Sequence, residues 1–137
     1  MIFPKFNDFK KSVRFNKELY EFGIEEEKKV IDTLRLFFKD DSIMHLPEGY
    51  AYDFIGKDKL IELKSRQNKL LTYIDTAIGI NKIKEAGYYH GEVYFVFKFL
   101  DGLYYWKYDP EQKLRKGYIN TTLHYFIPIS VLLPVII

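Results

Sequence analysis

The chain of 137 residues contains no cysteine. This absence excludes disulfide bonds and thiolate metal sites, and it favours a reducing compartment, so we expect a cytoplasmic protein. Long hydrophobic runs are also missing. The longest, residues 126–137, is interrupted by Pro128 and Pro134 and is shorter than the roughly 20 residues of a membrane-spanning helix. The N-terminus mixes charged and aromatic residues, unlike a signal peptide, so we expect no membrane association.

Internal repeats, linkers and low-complexity segments are absent as well, and the length fits one domain over residues 1–137. Hydrophobic residues make up 47% of the chain, which is enough for a core and argues against a largely disordered protein. The net charge is +2 and the pI is about 8.6. This mildly basic balance permits nucleic-acid binding without requiring it.

A β-hairpin is predicted over residues 50–67. Its turn, residues 56–59, combines a glycine with polar neighbours, as hairpin loops do. Asp53 lies on the first strand, and Glu62 and Lys64 lie two residues apart on the second. Because strand side chains alternate between faces, Glu62 and Lys64 project from one face while the intervening apolar residues point toward a core.

This hairpin brings Asp53 near Glu62, so two carboxylates and the ammonium of Lys64 share one patch. Like charges this close raise one another's pKa unless something compensates. Oxygen ligands of this kind suit hard divalent cations such as Mg²⁺. The residues therefore indicate a divalent-metal site beside a cationic group. The alternative is a solvated strand face with an ordinary Glu–Lys pair.

A helix is predicted over about residues 11–39, because apolar residues recur there with near-helical spacing. Glu27 stands three, four and seven residues before apolar residues, which places it on the inward stripe of this helix. A carboxylate on that stripe needs a partner. Glu27 is therefore either a third acid aimed at the metal patch or an edge residue that is solvated or paired with Lys28 or Arg35.

The remaining chain is predicted to form four further segments: a strand over 42–46, a helix over 70–86 with its isoleucines buried, a hairpin over 92–108, and an edge strand with a short helix over 117–137. Both faces of the strand that starts at Glu92 are apolar, as in a strand covered on two sides. We interpret the aromatic residues of 104–108 as packing groups rather than a base-stacking surface, and His45 as structural.

This order of elements, with Asp53 followed by Glu62-Leu63-Lys64 on the next strand, resembles the PD-(D/E)XK nuclease superfamily. The resemblance covers about residues 16–100. The proline in the family's name is replaced here by Tyr52, and members often lack that proline.

Many members of the superfamily place a glutamate on the first helix in a G-x-x-x-E-x-x-V-like pattern. Gly23, Glu27 and Val30 fit this pattern, and Glu26 is the fallback.

The resemblance implies an α/β fold, a three-layer restriction-endonuclease-like sandwich whose central mixed sheet is flanked by helices. It implies an endonuclease that uses Mg²⁺ or Mn²⁺ to hydrolyse DNA phosphodiester bonds, including branched DNA as in Holliday-junction resolvases. Asp53, Glu62 and the backbone carbonyl of Leu63 would bind the metal, and Glu27 would complete the acidic set. Lys64 would orient or help deprotonate the attacking water.

Phosphate contacts are expected from a cationic set around the hairpin and on the second helix: Lys57, Lys59, Arg66, Lys69 and Lys82. For the loop after Lys64, the alternative is a solvated polar surface. We expect DNA as the partner, a homodimer, and no nucleotide cofactor. Two other functions stay open: a non-catalytic DNA-binding or assembly module on the same fold, and a structural interaction protein.

Overall fold

This computed structural model describes residues 17–137, except for the side chains of residues 17–20, 22–24 and 26. Residues 11–16 of the predicted first helix and the side chain of Glu26 therefore lie outside the described residues. The elements in chain order are α1 Lys17–Phe38, β1 Met44–His45, β2 Phe54–Gly56, β3 Lys59–Ser65, β4 Asp75–Gly79, α2 Ile80–Ala86, β5 Glu92–Phe99, β6 Gly102–Lys107, β7 Arg115–Ile119, β8 Thr122–Pro128 and β9 Leu133–Pro134. Two 3₁₀ turns span Leu70–Thr72 and Ile129–Val131.

The strands form two sheets. The larger has six strands in the order β1-β2-β3-β5-β6-β9, and the smaller has three in the order β4-β8-β7. Strands β3 and β5 run parallel, and every other pair is antiparallel. The predicted mixed α/β class is therefore confirmed, whereas the restriction-endonuclease-like topology stays a prediction.

Two apolar cores cover the two faces of the large sheet. On one face, Val30 and Leu34 of α1 pack in a cluster with Ile61 of β3 and Val96 of β5. On the other face, Phe95 of β5 packs with residues of β4, β8 and α2. Alternate residues of β5 thus enter opposite cores, which confirms the prediction of a strand covered on both sides.

The predicted helix over residues 70–86 is wrong in its first two thirds. A 3₁₀ turn and strand β4 precede a helix of only seven residues, Ile80–Ala86. Along β4, buried and partly buried residues alternate, because β4 pairs with β8 in the small sheet. The burial of isoleucines is confirmed for Ile78 and Ile83 but not for Ile74, which is 86% exposed.

The C-terminal segment contains more strand than predicted. Strands β7 and β8 form an antiparallel hairpin whose turn includes Asn120 with φ 57°. Asparagine tolerates this left-handed conformation better than most residues. The predicted edge strand is confirmed as β9, but the predicted short helix is only a 3₁₀ turn.

The turn of the β2–β3 hairpin is held by Asp40, which follows α1. The Asp40 carboxylate accepts hydrogen bonds from the backbone N–H of Lys57 at 2.9 Å and from the Lys59 ammonium at 3.0 Å. It also accepts bonds from the Ser42 hydroxyl and from the Ser42 N–H at 2.9 Å. The hydrogen bond from the Ser42 hydroxyl, followed by those from Lys57 and Lys59, holds the pKa of Asp40 well below its usual range.

We expect Asp40→Ala to lower the free energy of unfolding by about 1.5–3 kcal/mol at pH 7, because several donors lose a charged acceptor. The folded-state pKa of Asp40 is depressed, so its contribution is present above the unfolded value of 3.8 and is lost as the pH falls through the folded value. Urea unfolding at pH 7 and near pH 2.5 measures both effects. The exposed neighbour Asp41 provides the control Asp41→Ala. Equal losses in the two variants would contradict this role.

Candidate active site

Backbone hydrogen bonds fix Asp53 between two neighbouring segments of the large sheet. Its N–H donates to the carbonyl of Ile61 at 3.1 Å, and its carbonyl accepts from the N–H of Leu46 at 2.9 Å. Its side chain then turns to β3, where Oδ2 accepts from the backbone N–H of Leu63 at 2.7 Å. Asp53 lies one residue before β2 rather than on it, but the predicted approach to Glu62 is confirmed, because the two carboxyl groups are hydrogen-bonded.

Asp53 is the centre of a group of three carboxyls. Its side chain contacts Glu62 on β3 and Glu27 on α1. Burial, then the charge of Glu62 and the hydrogen bonds with Glu62 and Glu27, raise the pKa of Asp53 well above its ordinary value. The site therefore brings three acidic side chains together around Asp53.

Glu62 is 3% exposed and is paired with two lysines. Its Oε2 lies 3.4 Å from the Lys64 ammonium and 2.9 Å from the Lys82 ammonium. Burial alone would raise the pKa of Glu62, but the charges of Lys64 and Lys82 outweigh burial and lower it. The predicted shared face of Glu62 and Lys64 is confirmed. Lys82, for which we predicted a DNA contact, instead reaches the acidic group from α2.

Tyr52 anchors the helix that carries Lys82. Its hydroxyl donates a hydrogen bond to the backbone carbonyl of Lys82 at 2.6 Å, and its ring centroid lies 5.3 Å from the Lys82 ammonium. Burial and the nearby charge of Glu62 raise the pKa of Tyr52, so its hydroxyl remains a donor at neutral pH. Tyr52 thus positions a lysine of the site.

Glu27 reaches the site with a partner that the sequence did not indicate. The Nδ1 atom of His45 lies 3.4 Å from Glu27 Oε2, and Glu27 also bonds with Asp53. The two lysine and arginine partners that the sequence suggested for Glu27 pair elsewhere: Lys28 lies near Glu25, and Arg35 lies near Asp32.

His45 therefore lies beside the candidate site, and its interpretation as structural stays untested. Its ring packs at a tilt of 45° against Phe54, its neighbour in the β1–β2 register, with the ring centroids 4.6 Å apart. Its Nε2 is buried without a hydrogen-bond partner in the described part of the chain. The one feature of the sequence that could have indicated this position is that His45 lies on the strand preceding Asp53.

The structure does not bring the predicted phosphate-binding cations together. Lys57 and Lys59 lie at the hairpin turn, and Lys59 is paired with Asp40. Lys59 and Lys64 lie five positions apart on β3, a span of about 16 Å at the usual rise of a strand. Arg66 is near the site but bonded into the protein, and Lys69 is exposed beyond the end of β3. Their roles toward DNA stay predictions.

The donor set has the chemistry of a Mg²⁺ or Mn²⁺ site, but it is not arranged as one. Among the described residues, no group of three or more acidic or histidine side chains has the spacing to hold a metal ion. Glu62 is directed at its two lysines. The carboxylates of Asp53, Glu62 and Glu27 are nevertheless the oxygen ligands such cations prefer, and a cation would relieve the repulsion that raises the pKa of Asp53. The residue types therefore fit.

Comparisons of the chain with protein-family models, with curated proteins and with solved structures found no match. Among the residues described, neither helix combines the length and the apolar character needed to cross a bilayer.

We expect Asp53→Asn to raise the melting temperature at pH 7, where each kcal/mol is worth roughly 4 °C for a chain of this size. The amide keeps an acceptor for the Leu63 N–H and removes the repelling charge. Because the folded-state pKa of Asp53 is raised, its stabilising contribution is present below the unfolded value of 3.8 and is lost as the pH rises through the folded value. The advantage of the variant should therefore vanish below about pH 4.

Thermal unfolding followed by circular dichroism between pH 3.5 and pH 8 tests this prediction. Asp41→Asn, at an exposed carboxyl, is the matched control. A variant with the same melting temperature as the wild type, or a lower one, at pH 7 would show that the carboxyl cluster is not under electrostatic stress.

Proposed function

We propose that the protein is a metal-dependent endonuclease that hydrolyses phosphodiester bonds of DNA, on a restriction-endonuclease-like sandwich. The observation that supports this proposal is the meeting of Asp53, Glu62 and Lys64 at one edge of two paired strands. The pKa of Asp53 is raised and that of its neighbour Glu62 is lowered. Shifted carboxyl pKa values of this kind are common in catalytic sites.

The metal would be held by Asp53, Glu62 and the backbone carbonyl of Leu63, with Glu27 completing the set. When bound, Mg²⁺ or Mn²⁺ lowers the pKa of a water molecule and neutralises charge on the phosphate. The residues around the metal ligands would keep those ligands in position. His45 positions Glu27, and the Leu63 N–H orients Asp53.

The two lysines carry the cationic part of the proposed chemistry. The Lys64 side chain is 34% exposed, and its ammonium stands beside Glu62 at the solvent side. There it would orient the attacking water and stabilise the negative charge that develops on the phosphate. Lys82, anchored through Tyr52, would hold Glu62 in place and add a second positive charge.

A symmetric homodimer is part of this proposal, because cutting two strands requires two sites. The C-terminal tail supports it, since Leu133, Ile136 and Ile137 expose apolar side chains that a second copy would bury.

The second candidate is a non-catalytic DNA-binding or assembly module. It is favoured by the pairing of Glu62 with both Lys64 and Lys82, which neutralises the carboxylate without a metal. Such a module would bind DNA equally well with or without divalent cations.

Incubation with Mg²⁺ or Mn²⁺ and a set of DNAs distinguishes the two functions: linear duplex, single strand, flap and four-way junction. We expect cleavage by the wild type and a fall in rate of at least about 10²–10³-fold in Asp53→Ala and Lys64→Ala, the usual loss for a group that stabilises the transition state. Asp41→Ala and Lys113→Ala, at exposed positions of the same charge, should keep the wild-type rate. Bound but uncut DNA with both metals would refute the enzyme in favour of the module.

A further inference from the structure

A groove of about 400 Å³ opens beside Lys64, between the large and the small sheet. Its lining includes Lys64 and Arg66 from β3 and the segment after it, Tyr73 before β4, and His124 and Phe126 of β8. Lys64 both lines the groove and lies beside Glu62, so it borders the groove and the acidic site. The nuclease chemistry proposed above does not use the rest of it.

Two cationic side chains, Lys64 and Arg66, line the groove, although Lys64 also lies 3.4 Å from Glu62. The Arg66 guanidinium is fixed in the wall by hydrogen bonds to Thr76 Oγ1 at 2.9 Å and to the carbonyl of Ala77 at 2.6 Å. Asp75 is the one carboxylate among the described lining residues, and it is paired with Arg115 at 3.1 Å. The carboxylate of the described lining is therefore offset by Arg115, and Lys64 and Arg66 add positive charge, which Lys64 shares with Glu62.

The groove lining also includes aromatic residues. Tyr73 is 64% exposed although it lines the groove. His124 and Phe126 are partly buried in the same lining, and the Arg115 guanidinium already stands 4.1 Å from the Phe126 ring centroid. Because unpaired bases stack on exposed aromatic rings, Tyr73 is the stacking candidate of this groove.

We propose that this groove binds an unpaired nucleotide, with its phosphate toward Lys64 and its base against the ring of Tyr73. The volume is in the range of sites that enclose one small ligand, so a flipped or single-stranded nucleotide fits and a duplex does not. This inference rests on the proposed nuclease function and gives it a substrate class: strands with an unpaired segment next to the cleaved bond. The same chemistry is offered by DNA and by RNA.

Fluorescence anisotropy with labelled oligo-dT, oligo-U and a hairpin duplex, in EDTA so that nothing is cut, tests the groove directly. We expect the single strands to bind more tightly than the duplex, and Tyr73→Ala to weaken single-strand binding by about 5- to 100-fold, the usual worth of one stacked base. Tyr73→Phe keeps the ring and should keep the affinity. Tyr88→Ala removes an equally exposed tyrosine outside the groove lining and should change nothing.

Two results would overturn the inference: binding of the duplex as tight as that of the single strands, or no loss of affinity in Tyr73→Ala. Preference for oligo-dT over oligo-U, or the reverse, identifies the natural strand and supports the groove in either case.

Cleavage assays separate this inference from the proposed function. Cleavage of duplex DNA without any gain from an unpaired segment would refute the groove and leave the nuclease standing. Binding of single strands that depends on Tyr73, without cleavage in either metal, would refute the nuclease and support the groove.

Discussion

A hydrogen bond from the backbone N–H of Leu63 to Asp53 holds a carboxyl group against Glu62, a neighbour of the same charge. Such an arrangement costs free energy, because burial and repulsion both penalise the charged form. The surrounding structure offsets part of this cost on Glu62, where Lys64 and Lys82 provide opposite charge. Asp53 keeps a raised pKa, and shifts of this kind are common at functional sites.

Each layer of the fold supplies one part of this cluster. The β2–β3 hairpin, locked at its turn by Asp40, sets the distance between Asp53 and Glu62. Helix α1 brings Glu27 from one face of the large sheet, and α2 brings Lys82 from the other. The small sheet adds the groove, whose lining includes Lys64, Tyr73 and Phe126. Lys64 borders both the acidic cluster and the groove, so the proposed catalysis and the proposed choice of strand would be coupled through that residue.

The parts of the site that depend on local periodicity were predictable from the sequence, and the parts that depend on distant pairing were not. The alternation along β3 fixed the shared face of Glu62 and Lys64, and the apolar faces of β5 indicated a buried strand. The apolar residues of segment 70–86 are spaced in a way that fits a helix and also a strand. Residues Asp75–Gly79 form a strand because they pair with β8. That pairing starts α2 at Ile80, where its third residue, Lys82, meets Glu62. The role of His45 depends likewise on the approach of α1 to β1, which no short pattern encodes.

The most direct test is calorimetric titration of the protein with Mn²⁺ at several pH values up to neutral. Because the pKa of Asp53 is raised, a cation competes with a proton for its carboxylate, so binding should tighten as the pH rises. If the carboxyl cluster holds a divalent cation, as proposed, the wild type binds Mn²⁺ saturably and Asp53→Asn binds it more weakly. Absence of binding, or identical titrations of the two proteins, would contradict that proposal.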